Sequence, residues 1–521
     1  MPNPSSNETT LADVKQFGLW AAIASLSYVF WVVGAMEMVE RLAFYGVRTV
    51  STLYATRPAS EGGLAVTMAT YGWLLLFWNM TQSVLPVFTG GLSDRYGYKE
   101  TIFLSTVVKA IGYLIMAWFH SYAGFFAGAL FLATGTAIFK PGIQATLVRS
   151  SNRRNSSMAW GIFYQTVNIG GWIGPLIALQ MRLMDWKYVF YTNAAVICLN
   201  FLLLLTYREP GKEERLARQE RIRAGHEKRS SLVVETLHEL EKPHLLLYLG
   251  IFSIWWLMFP MLWDVLPKYV DDWVDTSGLV RFLFGPEGAH NPVIKFLLGM
   301  DQVGQRIQPE GIVNINAGMI MLTCFLFAGL SARMRAPTSM VVGTLFITAA
   351  LSIIGLSNHV GLMVLAMVIF SVGEMLASPK FSEFLGNIAP ADKKAMWIGF
   401  SQAPILIGWT IEGKLGPLFY YLFSSKDIFA RQMLTERGMS PDQVTAKALP
   451  IGEAFKKLVE FTGQSPDELT QKLYQSHHVG TTWFIFAAVG VLSAVLLYFY
   501  GRWILKLTTT APEHSSEQLQ T

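Results

Sequence analysis

Apolar residues along this chain fall into twelve blocks. They run over 17–54, 65–89, 101–119, 123–148, 158–180 and 186–207, and then over 244–267, 314–332, 338–357, 360–386, 395–423 and 479–505. The hydrocarbon core of a bilayer takes about 20 residues of helix to cross. Each block therefore reads as a membrane-spanning helix, and the chain as an all-α membrane protein of six spans plus six. The pattern places an N-terminal six-helix bundle at 1–207, a charged linker at 208–243 and a C-terminal six-helix bundle at 244–507, followed by a polar tail at 508–521. Insertions at 271–313 and 424–478 interrupt the second bundle.

The first block is longer than a span needs. Phe17 to Tyr54 would make a helix of about 57 Å. A start near Ser27, after an interfacial lead-in, absorbs the excess. It also puts Glu37, Glu40 and Arg41 at mid-depth, with Arg48 two turns on. Glu37, Arg41 and Tyr45 recur every four residues and share one face of a helix. An ionisable residue at the centre of a span costs about 2.5–3.5 kcal/mol on insertion scales. A stripe of them marks a ligand or ion path rather than a lipid-facing surface.

Composition agrees with the blocks. Hydrophobic residues make up 52% and charged residues 15% of 521, against about 25% charged in soluble domains. The net charge of +5 is distributed by topology. Arg95 and Lys99, Arg149 with Arg153 and Arg154, the linker, Arg333 with Arg335, Lys393 with Lys394, and Arg502 with Lys506 lie on alternate connections. The positive-inside rule makes that side cytoplasmic, with both termini there, in a cell membrane. The polar N-terminus shows no cleavable leader pattern. Cys198 and Cys324 lie in apolar blocks, which leaves no disulfide framework and no metal set. No nucleophile–base pair stands out, so an enzyme is not expected, nor is a nucleic-acid partner.

The insertion at 424–478 carries a short repeat. Gly438-Met439-Ser440-Pro441-Asp442-Gln443 recurs as Gly463-Gln464-Ser465-Pro466-Asp467-Glu468. Each copy reads as a helix start, with Ser at the N-cap, Pro at N1 and Gln or Glu at N3. The insertion is expected to be two or three short helices that form a lid or a docking surface for a protein partner.

Two kinds of motif complete the picture. Gly90-Gly91-Leu92-Ser93-Asp94-Arg95-Tyr96-Gly97-Tyr98-Lys99 resembles the loop signature G-x-L-x-D-R-x-G-x-K/R of the major facilitator superfamily. That resemblance implies a fold of 12 transmembrane helices in two six-helix bundles and a gating role for Asp94 and Arg95. Glu37-x-x-Glu40-Arg41-x-x-x-Tyr45-Gly46 resembles the first-span motif E-x-x-E-R-F-x-Y-Y-G of the proton-dependent oligopeptide transporter family. Leu42 and Phe44 stand where that motif has Phe and Tyr. Gly135–Gly142 with Lys140-Pro141, Phe163-Tyr164-x-x-Val167-Asn168-x-Gly170-Gly171, and Gly373-Glu374 through Ser378-Pro379 with Ala389-Pro390 are similar to further motifs of that family. Asp264 stands in span seven, where the family often carries a Glu.

The resemblance implies proton-coupled symport of small peptides or peptide-like solutes by alternating access. Arg41, Arg48 and Lys140 would hold a substrate carboxylate and Glu374 an ammonium group, while Tyr45 and Asn168 orient the solute. Glu37, Glu40, Lys140 and Asp264 would couple the proton, with no cofactor beyond it. The motif departures leave two other readings open: a transporter of an anion, glycoside or drug-like solute, and a membrane sensor or complex subunit docked through 424–478.

Overall fold

The computed structural model describes residues 19–151, 155–223, 241–388 and 400–510. The expectations for Arg153, Arg154, Ala389-Pro390, Lys393, Lys394, most of the linker after Arg223 and the end of the tail lie outside them. The described chain is helical, with one isolated antiparallel bridge, Met300 to Ile307.

Each of the twelve blocks contains helix among its described residues. The first divides at Ser25–Ser27 into α1 (Leu19–Ala24) and α2 (Tyr28–Thr56), so the long helix starts where the later of the two starts requires. The first half continues with α3 (Met68–Tyr96), α4 (Tyr98–Trp118), α5 (Tyr122–Ser150), α6 (Ser156–Arg182) and α7 (Trp186–Leu205). The linker begins with α8 (Lys212–Arg223). The seventh block is broken into α9 (Pro243–Met258), α10 (Met261–Asp264) and α11 (Leu266–Trp273). Pro260 lies between the first two pieces and Pro267 near the start of the third, where a missing N–H is best tolerated. The first insertion holds α12 (Ser277–Phe284) and α13 (Pro292–Leu297). Then come α14 (Pro309–Ala332), α15 (Ala336–Leu356), α16 (Val360–Ile388) and α17 (Gln402–Phe423). The second insertion is α18 (Lys426–Glu436), a 3₁₀ turn, α19 (Ala454–Thr462) and α20 (Pro466–Ser476), and α21 (Thr481–Thr510) closes the chain.

Among the described residues, eight helices are long and apolar enough to cross a membrane by length and composition alone. α2 falls outside that group. Its stripe of Glu37, Glu40 and Arg41 places three charges within any central window, an arrangement stable in lipid only when turned into a bundle.

The loop signature proves to be mostly helix. α3 runs through Asp94 and Arg95 to Tyr96, and only Gly97 turns, at φ 119°. An L side chain is strained at that φ, which accounts for glycine there. The side chains of Asp94 and Arg95 lie outside the described residues.

The chain divides into two compact units, Met1–Tyr54 with Thr81–Arg229, and Ala55–Met80 with Ser230–Thr521. The core of the first packs Phe30, Val33 and Met36 of α2 against Ile102, Phe139, Ile143, Leu147 and Phe163. The second contains a buried aromatic nest. Phe252 stacks on Phe381 at 3.9 Å, and Tyr248 lies beside Phe381, Phe384 and Tyr500 while its hydroxyl donates to the Phe381 carbonyl.

The 424–478 insertion is folded, and the two repeat copies differ. Ser465 caps α20 as expected, its Oγ accepting from Glu468 N at 3.3 Å. The Ser440 copy gives only the 3₁₀ turn Pro441–Val444, without a side-chain cap. Pro450, nine residues after Pro441, interrupts the backbone pairing a longer helix would need. Asp427 fastens the insertion: it accepts from the N–H groups of Gly452 and Ala454 and pairs with Arg431 at 2.8 Å.

Candidate substrate and proton site

In the first unit the charged stripe of α2 is turned inward. Glu37, Glu40, Arg41 and Arg48 are all buried. Arg41 bridges both acids, with Nε 3.1 Å from Glu37 Oε1 and an Nη 2.5 Å from Glu40 Oε2. Two further helices supply the rest of the shell around Glu40. Lys109 of α4 places Nζ 3.2 Å from Glu40 Oε1, and Thr136 of α5 donates to the same oxygen at 3.2 Å. One carboxylate thus ties α2, α4 and α5 together. Lys109 Nζ also lies 4.0 Å from the centre of the Phe139 ring, and the Arg41 guanidinium 5.2 Å from that of Phe44. Phe44 therefore supplies a cation–π face at a position where a phenol would offer a hydroxyl.

Lys109 is absent from the sequence-derived set, although its signal was available. It is a lysine inside the apolar run Thr101–Trp118, and the reasoning that singled out α2 applies equally to it. Lys140, expected to couple the proton together with the acids, makes no salt bridge among the described residues. It sits half-buried in the field of Arg41, Glu37 and Glu40.

The seam between α2 and α6 explains the glycines of the span-five motif. A Cβ on Gly170 would lie 2.5 Å from the Met38 carbonyl oxygen, and one on Gly174 would lie 2.4 Å from that of Leu42. Small residues let the two backbones meet, as is common inside membranes. The same approach sets Tyr45 against Gly171. Asn168 donates to the Tyr164 carbonyl one turn back at 2.8 Å. This bond ties the amide to its own helix. Arg48 is buried on the same α2 face, one turn beyond Tyr45.

In the second unit Glu374 of α16 is buried, and its Oε2 accepts from Asn316 Nδ2 of α14 at 2.8 Å. Asn316 also donates to Ser371 Oγ at 3.2 Å. Asn316 and Ser371 are likewise missing from the sequence-derived set, because a lone Asn in an apolar run reads as ordinary packing. Asp264 is fully buried at the end of α10, next to the joint at Val265.

The fold and chemistry can be compared with known proteins. Residues 17–403 match the Major Facilitator Superfamily. The chain is 24% identical over 202 residues to the uncharacterized transporter YclF of Bacillus subtilis, covering 38% of this chain and 39% of that protein. It is 26% identical over 161 residues to the peptide transporter YePEPT of Yersinia enterocolitica, covering 30% and 31%. The chain thus spans about a third of the length of these curated relatives. Among solved structures, a POT family transporter in complex with 5-aminolevulinic acid superposes with a TM-score of 0.64 at 14% identity, over 95% of this chain and 100% of that one. At that identity the likeness is one of fold.

Proposed function

The chain belongs to the Major Facilitator Superfamily and is an integral membrane transporter; from that premise, we propose that it is a proton-coupled symporter of small peptides or of solutes that, like them, carry an amine and a carboxylate. The observation that carries this reading is the buried four-charge cluster of Glu37, Glu40, Arg41 and Lys109 within the spans of the first unit. Two supports come from outside the chain. YePEPT is a peptide transporter by name, and the similar fold of known structure holds 5-aminolevulinic acid, a solute with both groups.

The roles divide by unit. In the first, Lys140, which makes no salt bridge among the described residues, receives the substrate carboxylate together with Arg41 and Arg48. Tyr45 and Asn168 border that face and orient the solute. In the second, Glu374, held by Asn316, receives the amine, and Asp264 is a further proton site. Glu37 and Glu40 differ in a way that assigns the proton. Glu40 Oε1 takes hydrogen bonds from Lys109 and Thr136 and its Oε2 pairs with Arg41, whereas Glu37 has the Arg41 ion pair alone and no hydrogen-bond partner for Oε2 among the described residues. Glu37 Oε2 is the open acceptor to which the proton adds.

Uptake into proteoliposomes tests this. Glu37→Gln is expected to abolish accumulation driven by a proton gradient while preserving exchange of labelled dipeptide for unlabelled. Lys140→Ala is expected to lose both. If Glu37→Gln and Glu40→Gln each retain full gradient-driven uptake, proton coupling at this cluster is wrong.

A further inference from the structure

A cavity of the first unit is lined by none of the residues of the charged cluster. It measures about 1040 Å³ and is formed where α4 begins, α7 ends and α8 folds back. Gly211 makes the turn into α8 at φ 74°. A Cβ there would run into the guanidinium of Arg149, so α8 is seated tightly on the end of α5. Lys99, Glu100 and Phe103 of α4, Leu204 and Leu205 of α7, and Leu216 of α8 contribute to the walls.

Three features of this cavity belong together. It adjoins exposed apolar surface: Leu205 in its wall continues Leu199 and Leu202, spaced every third residue on α7 and exposed, and Phe103 in its wall stands next to exposed Leu104 on α4. Lys99, Arg208 and Lys212 line it too, and none of them makes a salt bridge among the described residues; Lys99 donates to the Tyr207 carbonyl at 2.7 Å. Tyr207 also lines the cavity. It is 5% exposed, and its hydroxyl has no hydrogen-bond partner among the described residues. A buried hydroxyl without a partner costs about 1–3 kcal/mol, which a ligand's acceptor would relieve. Burial, with Glu209 and Glu100 nearby, pushes the Tyr207 phenol well above its usual range, so it stays a donor at physiological pH.

We propose that this cavity is a binding site for one glycerophospholipid, whose phosphate takes hydrogen bonds from Tyr207, Lys99, Arg208 and Lys212 while its acyl chains lie along the exposed faces of α4 and α7. The charge balance narrows the ligand class. Glu100, Glu209 and Glu213 also line the cavity. Three cations and three carboxylates sum to zero, which gives a polyanion such as a nucleotide no net attraction but lets the cations hold a singly charged phosphodiester. The apolar walls Phe103, Leu205 and Leu216 leave a free anion without contacts for half of the lining. The site would fasten the first bundle and the start of the linker to the headgroup layer.

Native mass spectrometry of the purified full-length chain tests this without reference to transport. The titrants are a phosphatidylglycerol, a phosphatidylethanolamine and a diacylglycerol of matched chains. Wild type is expected to retain one phospholipid and to bind diacylglycerol at least fivefold less. Arg208→Gln with Lys212→Gln, both at exposed positions, is expected to lower phospholipid occupancy at least fivefold. Tyr207→Phe removes only the hydroxyl, and it too should lower occupancy without lowering the melting temperature. Equal phospholipid occupancy in wild type and both variants would overturn the proposal, as would equal binding of diacylglycerol. Complete displacement of the lipid by millimolar inorganic phosphate would overturn it in favour of a free-anion site.

Discussion

Glu40 shows how one carboxylate organises a membrane interior. It takes Arg41, Lys109 and Thr136 from three helices. Removing one member of a buried ion pair leaves the other unpaired, at a cost of about 3–5 kcal/mol. Lys109→Gln is therefore expected to lower the melting temperature of the detergent-solubilised protein strongly. Adding Glu40→Gln to it should recover part of the loss, because the cluster, left with two carboxylates and one cation, returns to balance. Full additivity of the two changes would mean that the pair is not coupled. At this scale the sequence was legible wherever charge stood against an apolar background. The α2 stripe was found that way, and Lys109 could have been. Partner choice was not legible. Nothing in the spacing of Lys109 or Lys140 says which of two lysines on adjacent helices reaches Glu40, since that depends on the rotation of α4 and α5 about their axes. Asn316 illustrates the same limit, because its role appears only when α14 sets it beside Glu374.

Among elements, the blocks of apolar residues located the helices but not all their ends, since α3 runs past the second block to Tyr96 and the seventh block is broken into three pieces, and caps followed the pattern unevenly. The two Ser-Pro-Asp copies of the second insertion look alike in sequence, yet only Ser465 caps a helix. Ser465→Ala is expected to cost the insertion about 1 kcal/mol, whereas Ser440→Ala should change it little. Limited proteolysis of the insertion would read the difference. The glycine seam of α6 offers a second test. Gly174→Ala forces a Cβ into the Leu42 carbonyl, and overpacking of this kind costs about 1–3 kcal/mol. A melting temperature equal to wild type would mean that α2 and α6 stand apart. The insertion also carries a pH response. Burial pushes the Lys426 ammonium down to about 8, against the opposing pull of Asp272, Asp271 and Asp467 and with the help of Lys268. Its Nζ lies 3.8 Å from the centre of the Phe455 ring and 5.6 Å from that of Trp273. A lysine whose folded pKa is depressed binds fewer protons when folded than when unfolded between about pH 8 and the ordinary lysine range. Stability of the insertion should therefore rise with pH across that window and be flat below it. Lys426→Met is expected to remove the rise, as followed by hydrogen exchange in α18 and α19.

For the whole molecule, the six-plus-six pattern and the family resemblance anticipated an architecture whose details the sequence left open. The superfamily match covers 17–403, and the motifs that carried the resemblance lie within the same range. The compact units do not follow the two halves of the chain, because Ala55–Met80 belongs with the second. Hydrophobic patterning assigns residues to helices but carries no information about which helix tips pack together. Sidedness is testable at this scale. Single cysteines introduced at Arg208 and Arg335 should react with an impermeant thiol reagent only from the cytoplasmic face. Cysteines at Gln305 and Lys447 should react only from the opposite face. Any reversal would overturn the charge-based orientation.

The ion cluster of α2 and α4 also has an electrical meaning. Glu37, Glu40, Arg41 and Lys109 sum to zero, so moving these four together through the membrane field does no net work. A single proton added to Glu37 breaks that neutrality, and one charge carried across 100 mV is worth about 2.3 kcal/mol. Under the proposed coupling, Lys109, by cancelling the charge of Glu40, would leave voltage acting on the cluster only when Glu37 carries the proton.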